Sequence, residues 1–390
     1  MTEDEYLDKE ENGVSFYNLV LKCESSFQEG FLESSLFSEE EFDILINHYM
    51  EEMEEEMIYI LTKMAYEQHP YSGDLAIRYA DALIVNGEID KAIELLNRQL
   101  SFNTCDSDLY FLMAKSLIYK KEHKDVFHYV DKAVFFNIDE NPAFFWTSIA
   151  QEYIDQSDFE NALKCYKNAK SLAKSTDSNI DILIDLAYIY DKLGQPAESI
   201  IYYRQYLDYD PFNDNVWFNL GTMYARKEDS DSAIEAFDYA YALNSANSSA
   251  LYNKGILLVN GDKFSDAIEV FDEMITLEPS DEATLISISE AFIMKEQYDY
   301  ALIYLRRVIN KVIIDYAHLS ELLKNSYIKS ANPEFQVYYI ATLCYGSNFD
   351  ALGDNIDILM QHKDSMWLDK LLKLIPSLRD DERIIYYIEK

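Results

Sequence analysis

From residue 214 the apolar positions recur at three- and four-residue spacing in two bursts. Trp217, Leu220, Gly221 and Tyr224 make the first, and Ala233, Phe237 and Ala240 the second. That spacing puts each set on one face of an α-helix. Polar Arg226 to Ser230 predict the turn between them, and Asp214 and Asn215 are candidate caps for the first helix. The small residues Gly221, Ala233 and Ala240 predict two antiparallel helices crossing closely, with axes about 8–10 Å apart. Trp217, Tyr224 and Phe237 are large and predict filling between neighbouring pairs.

The same pattern returns at shifts near 34 residues, with eight copies starting near 39, 73, 107, 143, 180, 214, 248 and 282. The seventh copy carries Leu251, Gly255, Leu258, Ala267, Phe271 and Met274, and the eighth Leu285, Ser289, Phe292, Ala301 and Leu305. Earlier copies place Ala80, Ala114, Ala150 and Ala187 at the first crossing; the first copy breaks the rule with Ile46. Pro70, Pro211 and Pro279 fall just after second helices, where a residue that cannot continue a helix makes a sharp stop. Longer steps around the fourth copy predict extended turns at Asn137–Pro142 and Ser171–Ser178.

The run Trp217, Leu220, Gly221, Tyr224, Ala233 and Phe237 resembles the tetratricopeptide repeat. The resemblance covers residues 39–315 and implies an all-α fold: an α-solenoid, a right-handed superhelix of antiparallel helix pairs with helical caps. Residues 1–38 form an acidic segment with an amphipathic helix expected at Val14–Phe27, its apolar side made of Phe16, Leu19, Val20, Cys23 and Phe27. Residues 316–390 read as degenerate helical repeats and a cap. There Pro333 opens one segment, Phe349–Met360 and Met366–Ile375 follow, and Ser377 caps a last helix bearing Ile384, Ile385, Tyr387 and Ile388.

The family likeness also implies that the first helix of each pair lines a concave groove. The groove-facing positions are then Asp43 and Asn47, Ile77 and Asp81, Phe111 and Lys115, Thr147 and Gln151, Ile184 and Tyr188, Phe218 and Thr222, Tyr252 and Ile256, and Ile286 and Glu290. Family members that grip the C-terminal carboxylate of heat-shock chaperones use a Lys- and Asn-rich clamp in such places. Here the corresponding Lys positions hold Asp43, Ile77 and Phe111. The expected ligand is instead an apolar or basic peptide or helix, anchored by large, low-entropy aromatic side chains. The alternative is a structural subunit that forms homo-oligomers through aromatics of its terminal helices.

Charge narrows the partners. A formal net charge of −38 repels nucleic acid and anionic membrane. Residues 1–60 hold 18 Asp or Glu against Lys9 and Lys22, with the densest run at Glu51, Glu52, Glu54, Glu55 and Glu56. Cys23, Cys105, Cys165 and Cys344 are scattered, as in a reducing compartment. The acidic start lacks a signal-peptide pattern, and no apolar run reaches the ~18 residues of a bilayer span. A cytoplasmic protein is expected. No phosphate loop, H-E-x-x-H or G-x-S-x-G occurs, and His123 and His128 are too poorly spaced to share a helical face. Asp208, Asp210, Asn213 and Asp214 resemble the start of a calcium loop but lack its glycine and closing glutamate, so turn formation and capping explain them better. No enzyme activity, cofactor or metal is expected.

Overall fold

The computed structural model describes residues 3–137, 141–173, 176–277, 282–309, 316–345, 352–362, 365–380 and 385. Among these, every regular element is helical. The chain forms two compact units, Met1–Tyr202 and Tyr203–Lys390.

The first unit holds α1 (Glu3–Gln28), α2 (Glu39–Glu51), α3 (Glu55–Gln68), α4 (Gly73–Val85), α5 (Ile89–Phe102), α6 (Ser107–Tyr119), α7 (Val126–Phe136), α8 (Ala143–Asp155), α9 (Phe159–Leu172), α10 (Thr176–Lys192) and the start of α11 (Pro196–Leu207). The second holds the rest of α11, then α12 (Asp214–Arg226), α13 (Ser230–Leu243), α14 (Ser248–Asn260), α15 (Phe264–Leu277), α16 (Glu282–Met294), α17 (Tyr298–Val308), α18 (Tyr316–Ser330), α19 (Pro333–Tyr345), α20 (Leu352–Met360) and α21 (Ser365–Leu374). Consecutive helices pack as antiparallel pairs, α2 with α3 through α8 with α9 in one unit and α12 with α13 through α18 with α19 in the other. Each unit is thus a stack of helix pairs, the α-solenoid architecture.

Local chemistry explains the boundaries. Short polar side chains cap the helices: Asp106 accepts from the Leu109 amide, Asn213 from Val216, Asp229 from Ser232, and Ser38 forms a reciprocal box with Glu41. Within each of the eight pairs from α2–α3 to α16–α17, one residue of the turn adopts the left-handed conformation that ends a helix: Met53, Gly87, Lys121, Ser157, Gly194, Glu228, Asp262 and Glu296. Ala80, Ala114, Ala150 and Ser289 at the crossings are fully buried. Ile46 is buried too.

Several expectations are corrected in detail. Asn213 caps α12, not Asp214 or Asn215, because the helix starts one residue earlier. The α12–α13 turn is Lys227–Asp229, with Ser230 already helical. Among the described residues of 171–178 only Ala173 is non-helical, since α9 runs to Leu172 and α10 begins at Thr176. Trp217 and Tyr224 are only half-buried. In α1 the inward side is Val20 and Cys23, whereas Phe16 and Phe27 are exposed. Ser377 lies in a short 3-10 turn, Pro376–Asp380. Pro279, residues 138–140 and 346–351, and Ile384, Tyr387 and Ile388 lie outside the described residues.

The end of the chain leaves the two-by-two pattern. Every residue of α19 from Glu334 to Leu343 is buried, which makes it a central helix with α18, α20 and α21 packed around it.

Candidate functional site

The first helices of successive pairs lie next to one another in each unit, α4 beside α6 and α6 beside α8, α14 beside α16 and α16 beside α18. On this face in the first unit, polar side chains one repeat apart join hands. Arg78 Nη2 donates to Asp43 at 2.6 Å and its Nη1 to Asn47 at 2.9 Å, tying α4 to α2. Lys115 Nζ on α6 sits 3.2 Å from Asp81 on α4 and 3.3 Å from Glu152 on α8. Tyr119 OH also donates to Glu152, at 2.7 Å. Burial opposes the charge of Lys115, but Asp81 and Glu152 outweigh it and hold the ammonium above its ordinary range. Burial, then the bond to Glu152, pushes the Tyr119 phenol up to about 12. Arg78 and Lys115 are therefore matched by carboxylates on their own face.

The expected groove residues divide by environment. Gln151 and Tyr188 are exposed, Gln151 bonding Asp155 at 2.9 Å and Tyr188 lying under the Lys192 ammonium at 5.2 Å. Ile77, Asp81, Lys115, Thr147, Ile184, Thr222 and Ile256 are half-buried. Phe111 is half-buried with its ring 5.4 Å from that of Phe145, and Phe218 and Tyr252 rest on Phe237 and Phe271 of their own pairs at 5.7 and 6.4 Å. These aromatics thus divide their surface between the core and the face. Ile286 is a correction: it is buried in the core of the second unit, while Glu290 pairs with His318 at 2.5 Å. Sequence reasoning missed Arg78, Tyr119 and Glu152. The signal was present, because opposite charges one repeat apart meet across adjacent first helices.

Asp210 accepts from the Phe212 amide, and Asp214 accepts from Asn244 at 2.9 Å. Cys165 is buried, and burial pushes its thiol well above the ordinary range, the opposite of a reactive thiolate. Among the described residues no group of His, Cys, Asp and Glu is arranged to hold a metal, and no helix is long and apolar enough to cross a membrane.

Tetratricopeptide repeat models match residues 58–115, 145–176, 184–248 and 225–282. The chain is a tetratricopeptide repeat protein. Its repeats are similar to solved structures at low identity. One is MamA, at 24% identity, 41% of this chain, 92% of that one and a TM-score of 0.37. Another is YrrB, described as a TPR protein with an unusual peptide-binding site, at 20% identity, 49% and 95% coverage and a TM-score of 0.38. A tetratricopeptide repeat protein from Parabacteroides merdae gives 15% identity, 60% and 98% coverage and a TM-score of 0.43. No curated protein matches the chain. The repeats make it a protein-interaction scaffold in class.

Proposed function

We propose that this is a non-catalytic adaptor that holds an apolar or basic peptide, or a helix, of a partner protein against the face formed by its first helices. The observation that carries this reading is the state of charge and exposure on that face. Aromatic and aliphatic side chains reach the surface at Ile77, Phe111, Ile184 and Tyr188, while Arg78 and Lys115 are already neutralised by Asp43, Asp81 and Glu152. Such a face offers apolar anchoring with negative flanks, and a net charge of −38 speeds the approach of a basic partner. Four cysteines without disulfides fit residence in the cytoplasm.

The test is affinity capture with the wild-type chain and with a Thr147→Arg, Gln151→Arg, Tyr188→Ala variant, followed by mass spectrometry. These positions reach solvent, so circular dichroism should stay unchanged. Partners specific to the wild type are expected to vanish from the variant. Capture of an identical set by both would sink the assignment of this face.

A further inference from the structure

The first helix pair is built with its sizes reversed. Where later pairs set Gly221 against Phe237 and Gly255 against Phe271, the equivalent residues here are Ile46 and Thr62. Thr62 is held down on its own helix, its Oγ1 donating to the Ile58 carbonyl at 2.7 Å. The bulk that Phe237 and Phe271 supply at this position is missing. A hollow of about 160 Å³ opens in its place, lined by Ile46, Ile58, Thr62 and Ala82 and edged by Met50 and Val85. It reaches Asp81 and Arg78, so it adjoins the face described above.

An apolar cavity of ~150 Å³ accepts a benzene-sized guest, which is about the bulk of one leucine or methionine side chain. Met50 and Val85 at the edge are 51% and 58% exposed, leaving the entrance open. The charge left unpaired around it has one sign. Glu55 lines the hollow, and the neighbouring Glu51, Glu52, Glu54 and Glu56 are exposed, none of the five in an ion pair among the described residues. The one cation at the wall, Arg78, is engaged by Asp43 and Asn47.

We propose that this hollow is an anchor subsite that takes one leucine or methionine side chain of a partner segment flanked by lysine or arginine. The apolar floor selects the side chain by size, and the glutamates of the α2–α3 turn select its neighbours by charge. The proposal rests on the adaptor reading above and specifies one part of it.

Methyl NMR on the full chain, labelled at isoleucine, separates the two. The probes are the pentapeptides Lys-Lys-Leu-Lys-Lys, Lys-Lys-Ala-Lys-Lys and Glu-Glu-Leu-Glu-Glu. The first is expected to shift the Ile46 and Ile58 methyls with a saturating dependence, binding about tenfold tighter than the alanine peptide. The glutamate peptide should leave both methyls unmoved. Thr62→Leu, which fills the hollow, and Glu55→Lys, a change at an exposed position that leaves the core intact, should each weaken binding several-fold. Equal shifts from the leucine and alanine peptides, or wild-type affinity in both variants, overturn the subsite. If only Ile77, Ile184 or Ile256 respond, the subsite falls and the adaptor reading stands. If no methyl of either set responds, both fall.

Discussion

A methyl group decides which residue fits at the helix crossings. A Cβ added to Gly255 would lie 2.2 Å from the Phe271 ring, and one added to Gly221 would lie 2.8 Å from the Phe237 ring. The Phe271 ring is completely buried and hemmed in by Phe292 and Tyr304, so it cannot swing aside. Alanine serves at the equivalent place where Leu96, Val130 or Tyr166 stands opposite, and glycine appears only opposite phenylalanine. Gly255→Ala should therefore cost about 1–3 kcal/mol by overpacking, and Gly221→Ala less. Urea denaturation of the two variants measures the difference; a Gly255→Ala chain as stable as wild type would break the pairing rule. The first pair departs from that complementarity: Ile46 stands opposite the short Thr62, and a hollow is left beside them.

Each helix pair turns on one left-handed residue, and this fixes how abruptly the first helix ends. Only Gly87 and Gly194 meet that demand without a steric penalty; the other repeats force Met, Lys, Ser, Glu or Asp into it. Glu228, at φ 62°, is exposed, and its side chain is dispensable for packing. Glu228→Gly is expected to stabilise the α12–α13 pair by up to about 1 kcal/mol, the relief of backbone strain exceeding the added freedom of the unfolded chain. The reverse change, Gly194→Ala, should cost a similar amount, since its added Cβ meets no atom within 4 Å and only the backbone objects. Urea midpoints that move the other way would refute the conformational account. Pairing between elements follows the same period: Asp43 with Arg78, Asp81 with Lys115 and Asp272 with Arg307 all join successive pairs.

At the scale of the whole molecule the two ends differ from the middle. In the second unit the central helix α19 carries Glu334, whose carboxylate receives Arg306 in a two-point contact at 2.8 and 2.9 Å, Lys370 at 2.6 Å and the Tyr338 hydroxyl at 2.6 Å. These groups tie α17, α19 and α21 together. Burial alone would raise the carboxyl, but the bonds from Arg306, Lys370 and Tyr338 prevail and pull it down to about 2 from an ordinary 4.5. Because the folded value is the lower one, the stabilisation is complete above pH 4.5 and is lost as pH falls towards 2. It amounts to on the order of 3 kcal/mol. Glu334→Gln should lower amide protection in α19 at pH 7, with the gap to wild type closing in acid. A gap independent of pH would show that the cluster contributes by packing rather than by charge.

The fold was legible because the helical register repeats eight times, with a small residue at the first crossing in every copy but the first, and a helix pair needs only its nearest neighbours to bury its apolar faces. Ile286, expected on the groove side from the family likeness, is buried in the core of the second unit. The left-handed turns were hidden, since glycine marks only two of them and capping geometry overrides residue preference at the rest. Periodicity thus determined the element type and the pairing of helices, and composition determined the acidic character of the chain. Tertiary structure decided which charges neutralise one another, how α19 became a core helix, and that Thr62 leaves room beside Ile46. Those outcomes depend on distances between helices, and the spacing of residues along a chain carries no distance across it.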